Sequence, residues 1–263
     1  MHFLESILGN KRARLKIAQE SKPLLELESE ARACRRAARP NRLSDALENV
    51  SFPGIIAEFK RQSPSRGMIH GAADPVVLAR MYQAGGAAAI SVLTEEDSFQ
   101  GSLQDLLSVR GAVSLPLLRK DFVLDPYQVF ETAASGADAL LLIVAILDDL
   151  LLNQLYRLTE ELGMDALVEV HTKREMERAI AMGAKLIGVN NRDLSSFTVS
   201  LETSLTLAQM ASGKELLVSE SGIDSMEQME QLRVAGYDGF LIGESLMRAT
   251  DPDTLLRSWT SRS

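Results

Sequence analysis

The chain has 263 residues, 46% of them hydrophobic and 24% charged, which is enough to bury one sizeable core as a single globular domain. Its formal charge of -8 at pH 7 excludes the basic footprint of a nucleic-acid binder, although a small cationic pocket stays compatible with an acidic surface. One cysteine, Cys34, excludes an internal disulfide framework and fits a reducing compartment.

Residues 1–52 carry helical spacing at Leu4, Ile7, Leu8, Leu15 and Ile17, then Pro23, then a second helical stretch to Ala38. Met1 to Gly9 is too short and too acidic for the apolar region of a signal peptide. The segment is cationic, with Lys11, Arg12, Arg14, Lys16, Arg32, Arg35, Arg36 and Arg39. It could cap the bottom of the following domain or fold over its top, and a solvated helical face is the simplest reading of its charges. Cys34 reads as a packing residue there.

From Gly54 onward, short apolar runs alternate with amphipathic helical segments, the pattern of parallel βα units. Eight strands are expected: Ile55 to Lys60, Ala88 to Leu93, Pro116 to Lys120, Ala139 to Ile143, Ala166 to Val170, Leu186 to Asn190, Leu216 to Ser219 and Gly239 to Ile242. Glycine closes several of the helices, as at Gly85, Gly136 and Gly183. The expected fold is a (β/α)8 TIM barrel, residues 53–263, with an N-terminal helical extension, residues 1–52, packed on it as one structural domain. The longest apolar run, Ala139 to Leu147, falls far short of a membrane span, so a cytoplasmic protein is expected. His2, His70 and His171 have no second His or Cys at ligand spacing, which offers no transition-metal site.

Barrel active sites lie at the C-terminal ends of the strands, and polar side chains collect there in this chain. In the first strand Glu58 and Lys60 share a face, since strand side chains alternate, and two inward charges are costly unless they serve chemistry. The loop Arg61 to His70 above them is polar, basic and broken by Pro and Gly. The third strand ends in Arg119-Lys120-Asp121-Phe122, the fifth in Glu169-Val170-His171, and the sixth in Asn190-Asn191-Arg192. Lys60 and Lys120 would face Glu169, giving two acids and a carboxylate that can receive or return a proton. Mutual lysine repulsion and burial would move their pKa values towards neutrality. The seventh and eighth strands run into Ser221-Gly222 and Gly243-Glu244-Ser245, where glycine lets backbone N–H groups approach a phosphate. The alternative is that Gly222 and Gly243 are turn residues and Ser245 a helix cap.

These motifs resemble the indole-3-glycerol phosphate synthase family of tryptophan biosynthesis. The resemblance covers nearly the whole chain and rests on Ile56-Ala57-Glu58-Phe59-Lys60-Arg61-Gln62-Ser63-Pro64-Ser65-Arg66-Gly67, Ser91-Val92-Leu93-Thr94-Glu95, Ser98-Phe99-Gln100-Gly101-Ser102, Leu118-Arg119-Lys120-Asp121-Phe122, Ile187-Gly188-Val189-Asn190-Asn191-Arg192-Asp193-Leu194, Ser219-Glu220-Ser221-Gly222-Ile223 and Phe240-Leu241-Ile242-Gly243-Glu244-Ser245-Leu246-Met247. It implies ring closure of 1-(2-carboxyphenylamino)-1-deoxyribulose 5-phosphate with loss of carbon dioxide and water, with no cofactor and no metal. Carried over by position, Lys120 is the general acid and Glu169 handles protons in the dehydration. Lys60 neutralises substrate charge or supplies a second acid, Glu58 orients it, and Asn190 holds a hydroxyl. Ser221, Arg192, Gly222, Gly243 and Ser245 bind substrate or its phosphate, while Ser63, Phe99, Phe122 and Leu241 line the aromatic pocket.

Two positions depart from the family. Phe59 replaces a branched aliphatic residue and is expected to face the helices. Glu244 replaces a small residue, and its side chain is expected to point away from the phosphate. The competing readings are a phosphoribosylanthranilate isomerase-like enzyme, which needs a Cys/Asp pair, and a catalytically silent phosphosugar-binding barrel. The expected partner is a small phosphorylated substrate, with neither nucleic acid nor membrane. A monomer is expected, and association with another tryptophan-pathway enzyme stays open.

Overall fold

The computed structural model describes residues 2–50, 53–63 and 67–261. Eight parallel strands close into a barrel: β1 Gly54–Phe59, β2 Ala89–Leu93, β3 Leu117–Lys120, β4 Ala139–Ile143, β5 Asp165–Val170, β6 Leu186–Asn190, β7 Leu216–Glu220 and β8 Gly239–Ile242. Closure is made where β1 pairs with both β8 (Gly54 opposite Gly239) and β2 (Glu58 opposite Ser91). Strand alternation then splits the apolar residues into two layers. Ile56, Ala89, Leu118, Leu141, Leu167, Val218 and Leu241 fill the barrel interior. Ile55, Ala57, Phe59, Ile90 and Val92 pack outward against the helices. Phe59 thus faces the helical layer, with the Arg61 guanidinium stacked 4.9 Å from its ring centre.

The strand boundaries fall within a residue or so of those expected. Lys60 lies just past the end of β1. β7 runs one residue further than expected, because Glu220 still pairs with Leu241 and Asn190 on its two neighbours. A two-residue hairpin, Gln62–Ser63 with Gly67–Met68, follows β1. Pro64, Ser65 and Arg66 of the basic loop lie outside the described residues.

Seven of the barrel helices start on side-chain caps. Asp74, Asp125 and Asp251 precede a proline at α4 (Pro75–Ala84), α6 (Pro126–Ala134) and α12 (Pro252–Thr260). Ser102 caps α5 (Leu103–Arg110), Asp148 caps α7 (Asp149–Glu161), Thr172 caps α8 (Lys173–Met182), and Ser225 caps α10 (Met226–Ala235). Each accepts from backbone N–H groups that would otherwise be orphaned. The helices α9 (Glu202–Ala208) and α11 (Glu244–Arg248) are shorter. At the Gly85-Gly86 pair the left-handed residue is Gly86 (φ 86°), while Gly85 stays right-handed.

The N-terminal extension takes both of the positions the sequence left open. Helix α1 (His2–Ser21) lies over the C-terminal end of the barrel, where Leu4 and Ile7 meet the mouth cavity and Lys11 pairs with Asp121 and Glu96. Helix α2 (Leu24–Arg35) runs along α6. Helix α3 (Arg42–Asn49) closes the opposite end, with Leu47 packed against the first residues of β1 and β8. The segment's charges are not all solvated, as the charge run alone suggests. Lys11 and Arg35 are buried, the latter donating to the carbonyls of Leu162, Ala137 and Gly163. Cys34, by contrast, is exposed and packs against no core.

Candidate active site

A cavity of about 980 Å³ opens at the C-terminal end of the barrel. Its floor follows from strand alternation. The residue two places after an interior-facing apolar one or glycine points the same way, so Glu58, Lys120, Glu169, Asn190 and Glu220 all project inward from the ends of β1, β3, β5, β6 and β7. Lys60 joins them from just beyond β1 and donates to Glu58 Oε1 at 2.5 Å.

Lys120 sits between two carboxylates, 3.1 Å from Glu169 Oε2 and 2.9 Å from Glu220 Oε2. The contact with Glu169 is a hydrogen bond. The one with Glu220 is close but misaligned, so both oxygens of Glu220 lack a hydrogen-bond partner. All three groups are buried by the barrel wall, and burying charge is tolerated only because the charges face one another. Burial works against the Lys120 ammonium, yet Glu169, Glu220 and Glu58 outweigh it and hold its pKa above the ordinary lysine range. Burial likewise opposes ionisation of Glu169, but Lys120 and His171 keep it well below the usual carboxylate range. Glu220 goes the other way: burial, reinforced by Glu169, pushes it up to about 7 against the pull of Lys120. The group brought to neutrality is therefore a carboxyl, not a lysine lowered by its neighbour.

One wall of the cavity is apolar. The rings of Phe99 and Phe122 lie 6.5 Å apart at 38°, joined by Leu241 and by Leu4 and Ile7 of α1. Ser63 lines the same space with its hydroxyl buried and unpartnered. The opposite rim is polar. Ser221 and Gly222 both adopt left-handed backbone (φ 68° and 77°), and a Cβ on Gly222 would come within 2.4 Å of Val199. A Cβ on Gly243 would come within 2.4 Å of Glu58 Oε1, so only glycine lets the chain leaving β8 pass this carboxylate. Ser245 donates to the Ile223 carbonyl at 3.3 Å. Arg192 lies 3.8 Å from Glu244, which also faces Arg248; the Glu244 charge is held by arginines on the rim.

All of the residues singled out from sequence, catalytic and substrate-binding alike, line this one cavity. Sequence reasoning missed Glu220 and the α1 residues Leu4 and Ile7. Glu220 was legible from the alternation Val218-Glu220, which repeats Leu167-Glu169 one pair of strands away. Outside the cavity, Glu95, Glu96 and Asp97 form the one carboxylate group among the described residues close enough to share a cation. Lys11, Arg14 and the backbone N–H groups of residues 97–99 already satisfy them.

A family model described as indole-3-glycerol phosphate synthase matches residues 4–259. A protein of that name from Carboxydothermus hydrogenoformans is 47% identical over 97% of this chain and 98% of its own. Another from Roseiflexus sp. is 47% identical over 97% of both. Among solved structures, 3-hexulose-6-phosphate synthase from Salmonella typhimurium aligns with a TM-score of 0.64 at 14% identity over 79% of this chain and 96% of that one. N-acetylmannosamine-6-phosphate 2-epimerase from Clostridium perfringens gives 0.58 at 17% over 81% and 94%. At those identities the two structures speak for the barrel fold alone.

Proposed function

The chain belongs to the indole-3-glycerol phosphate synthase family, and from that membership we propose how its barrel mouth works. The enzyme is a carboxy-lyase that converts 1-(2-carboxyphenylamino)-1-deoxyribulose 5-phosphate to indole-3-glycerol phosphate. The observation that carries the assignment of roles is the convergence of Lys60, Lys120 and Glu169 on one cavity between an aromatic wall and a glycine-bearing rim.

In this reading the aminophenyl ring lies against Phe99 and Phe122, and the phosphate meets Gly222, Gly243, Ser245 and Arg192 at the opposite rim. Holding both ends sets the ring carbon against the ketone and lowers the entropic part of the barrier. Lys120 gives its proton to the ketone oxygen as the carbon–carbon bond forms. Lys60, kept in place by Glu58, balances the substrate carboxylate until carbon dioxide leaves. Asn190 and Ser221 hold substrate hydroxyls. Lys60, as the second acid, then gives a proton to the hydroxyl so that it departs as water, while Glu169 takes the proton that the substrate releases. Glu220, a carboxyl that burial holds near neutrality, joins these groups beside Lys120. Cys34, exposed on α2 and absent from the cavity lining, cannot supply the acid of an isomerase-like reading. The same reading takes the enzyme as a cytoplasmic monomer with docking to another tryptophan-pathway enzyme open, which sedimentation alone and with that enzyme would check.

Incubation with the carboxyphenylamino deoxyribulose phosphate should produce the indole absorbance. Lys120→Met should abolish turnover while leaving substrate affinity within about an order of magnitude, since the acid acts mainly in the transition state. Product formation by that variant at the wild-type rate would remove Lys120 from the role.

A further inference from the structure

Asn191 stands between two residues of the mouth, Asn190 and Arg192, yet it lines no part of the cavity. Alternation turns Asn190 inward and Asn191 outward, towards α9. It is 2% exposed there, beside Ser204 of α9 and Ser219 of β7, both fully buried. Both amide hydrogens and both lone pairs are taken. Nδ2 donates to Ser219 Oγ at 3.0 Å and to the Ser221 carbonyl at 3.1 Å, while Oδ1 accepts from the Ser204 N–H at 3.1 Å and the Ser204 hydroxyl at 2.8 Å. The two serine hydroxyls lie 2.8 Å apart, which closes a ring: Asn191 donates to Ser219, Ser219 to Ser204, and Ser204 back to Asn191. Exchanging the amide's N and O would set a donor against the Ser204 N–H and an acceptor against the Ser221 carbonyl, so only one orientation satisfies the set. A closed ring in a dry interior is held more firmly than its separate bonds. Tyr237, just after α10, anchors it by donating to the Ser204 carbonyl at 2.9 Å.

One bond of the set reaches out of the ring to the rim. Ser221 has left-handed backbone (φ 68°) and precedes Gly222 at 77°, a conformation that a serine keeps only where its surroundings impose it. The Asn191 amide imposes it through the Ser221 carbonyl. A trans peptide sets its C=O and N–H in opposite directions, so drawing this carbonyl behind the barrel wall turns the Gly222 N–H towards the mouth that Gly222 lines. The backbone of Asn191 ties the same corner together. Its N–H donates to the Glu220 carbonyl at 2.9 Å, and its carbonyl accepts from the Ser200 N–H at 3.0 Å, next to the Val199 side chain that packs on Gly222.

We propose that Asn191 is the positioning residue of the phosphate rim: through the Ser221 carbonyl it aims the Gly222 N–H at the substrate's phosphate, and the Ser204–Ser219 pair keeps its amide from turning. The inference deepens the reading of the rim given above and rests on it. Asn191 lies behind the wall and touches no substrate. Its loss therefore weakens the hold on the phosphate end and leaves the acids on the floor in place.

The test is steady-state kinetics and inhibition of the full-length protein carrying Asn191→Leu, which fills a similar space without a hydrogen bond. Two competitive probes separate the ends of the mouth: inorganic phosphate for the rim, and 2-aminobenzoate for the aromatic wall. The clamp predicts that KM and the Ki for phosphate rise about tenfold, with the Ki for 2-aminobenzoate within about twofold and kcat within about threefold. Ser204→Ala keeps the Ser204 N–H and breaks only the ring, so KM and the phosphate Ki should rise about threefold; this milder variant decides the matter if Asn191→Leu does not fold. An unchanged phosphate Ki in either folded variant, or equal weakening of both probes, overturns the positioning role. Ser245→Asp, measured beside them, checks the rim itself. Wild-type phosphate inhibition in that variant would take the phosphate away from the rim, and the inference with it.

Discussion

Three carboxylates around one ammonium leave Glu220 with the least secure charge in the barrel. An ordinary glutamate titrates near 4.5, whereas Glu220 in the folded protein titrates at about 7. Between those values the folded chain holds a proton that the unfolded chain has released, so this residue makes stability fall as pH rises from 4.5 to 7. Glu220→Gln should therefore melt later than wild type at pH 8, by about 1–3 kcal/mol, with little gain at pH 4.5, and should lose turnover. Urea midpoints at the two pH values give the comparison, and equal midpoints would mean that Glu220 stays ionised throughout. At the rim, Ser245→Asp places a second negative charge where the phosphate is proposed to sit. Its KM should rise about tenfold or more, and an unchanged KM would move the phosphate elsewhere. At this scale the inward set Glu58, Lys120, Glu169 and Asn190 was readable from parity alone. The pKa of each was not, because it depends on which charges neighbouring strands bring within 3 Å.

Helix α1 shows how an element is tied to chemistry it does not perform. Lys11 is 5% exposed and donates between Asp121 Oδ1 at 2.8 Å and Glu96 Oε2 at 2.9 Å. Asp121 follows Lys120 directly and also holds Arg119 and the Thr94 hydroxyl. The same helix presses Leu4 and Ile7 into the mouth. Lys11→Met removes one of the two cations on Asp121 while Arg119 remains, so the loss should be about 1–3 kcal/mol rather than that of a fully stranded buried charge. KM should rise several-fold as the apolar wall loosens, with kcat less affected. Identical KM and urea midpoint would show that packing alone seats α1. The helical spacing of Leu4, Ile7 and Leu8 announced the element, but not its position. Both ends of the barrel offer an apolar surface, and the choice was made by Asp121 and Glu96, residues about a hundred positions away.

For the whole molecule we propose that residues 1–52 and 53–263 unfold together. Helix α3 closes the barrel end opposite the site, with Leu47 4% exposed against the starts of β1 and β8. Leu47→Ala should cost about 2–4 kcal/mol through the cavity it leaves, lower the temperature of a single calorimetric transition, and leave KM unchanged, since the mouth lies at the other end. Two separate transitions would divide the chain instead. The eight βα units and the polar residues at strand ends were legible in the chain alone, because alternation, capping and glycine punctuation act over a few neighbouring residues. Folding in three dimensions set α1 as the roof of the mouth and α3 as the plug of the base, and brought Glu220 to Lys120. Those outcomes depend on barrel closure, which brings the ends of distant strands within contact distance and sets their charges in a shared, water-poor interior.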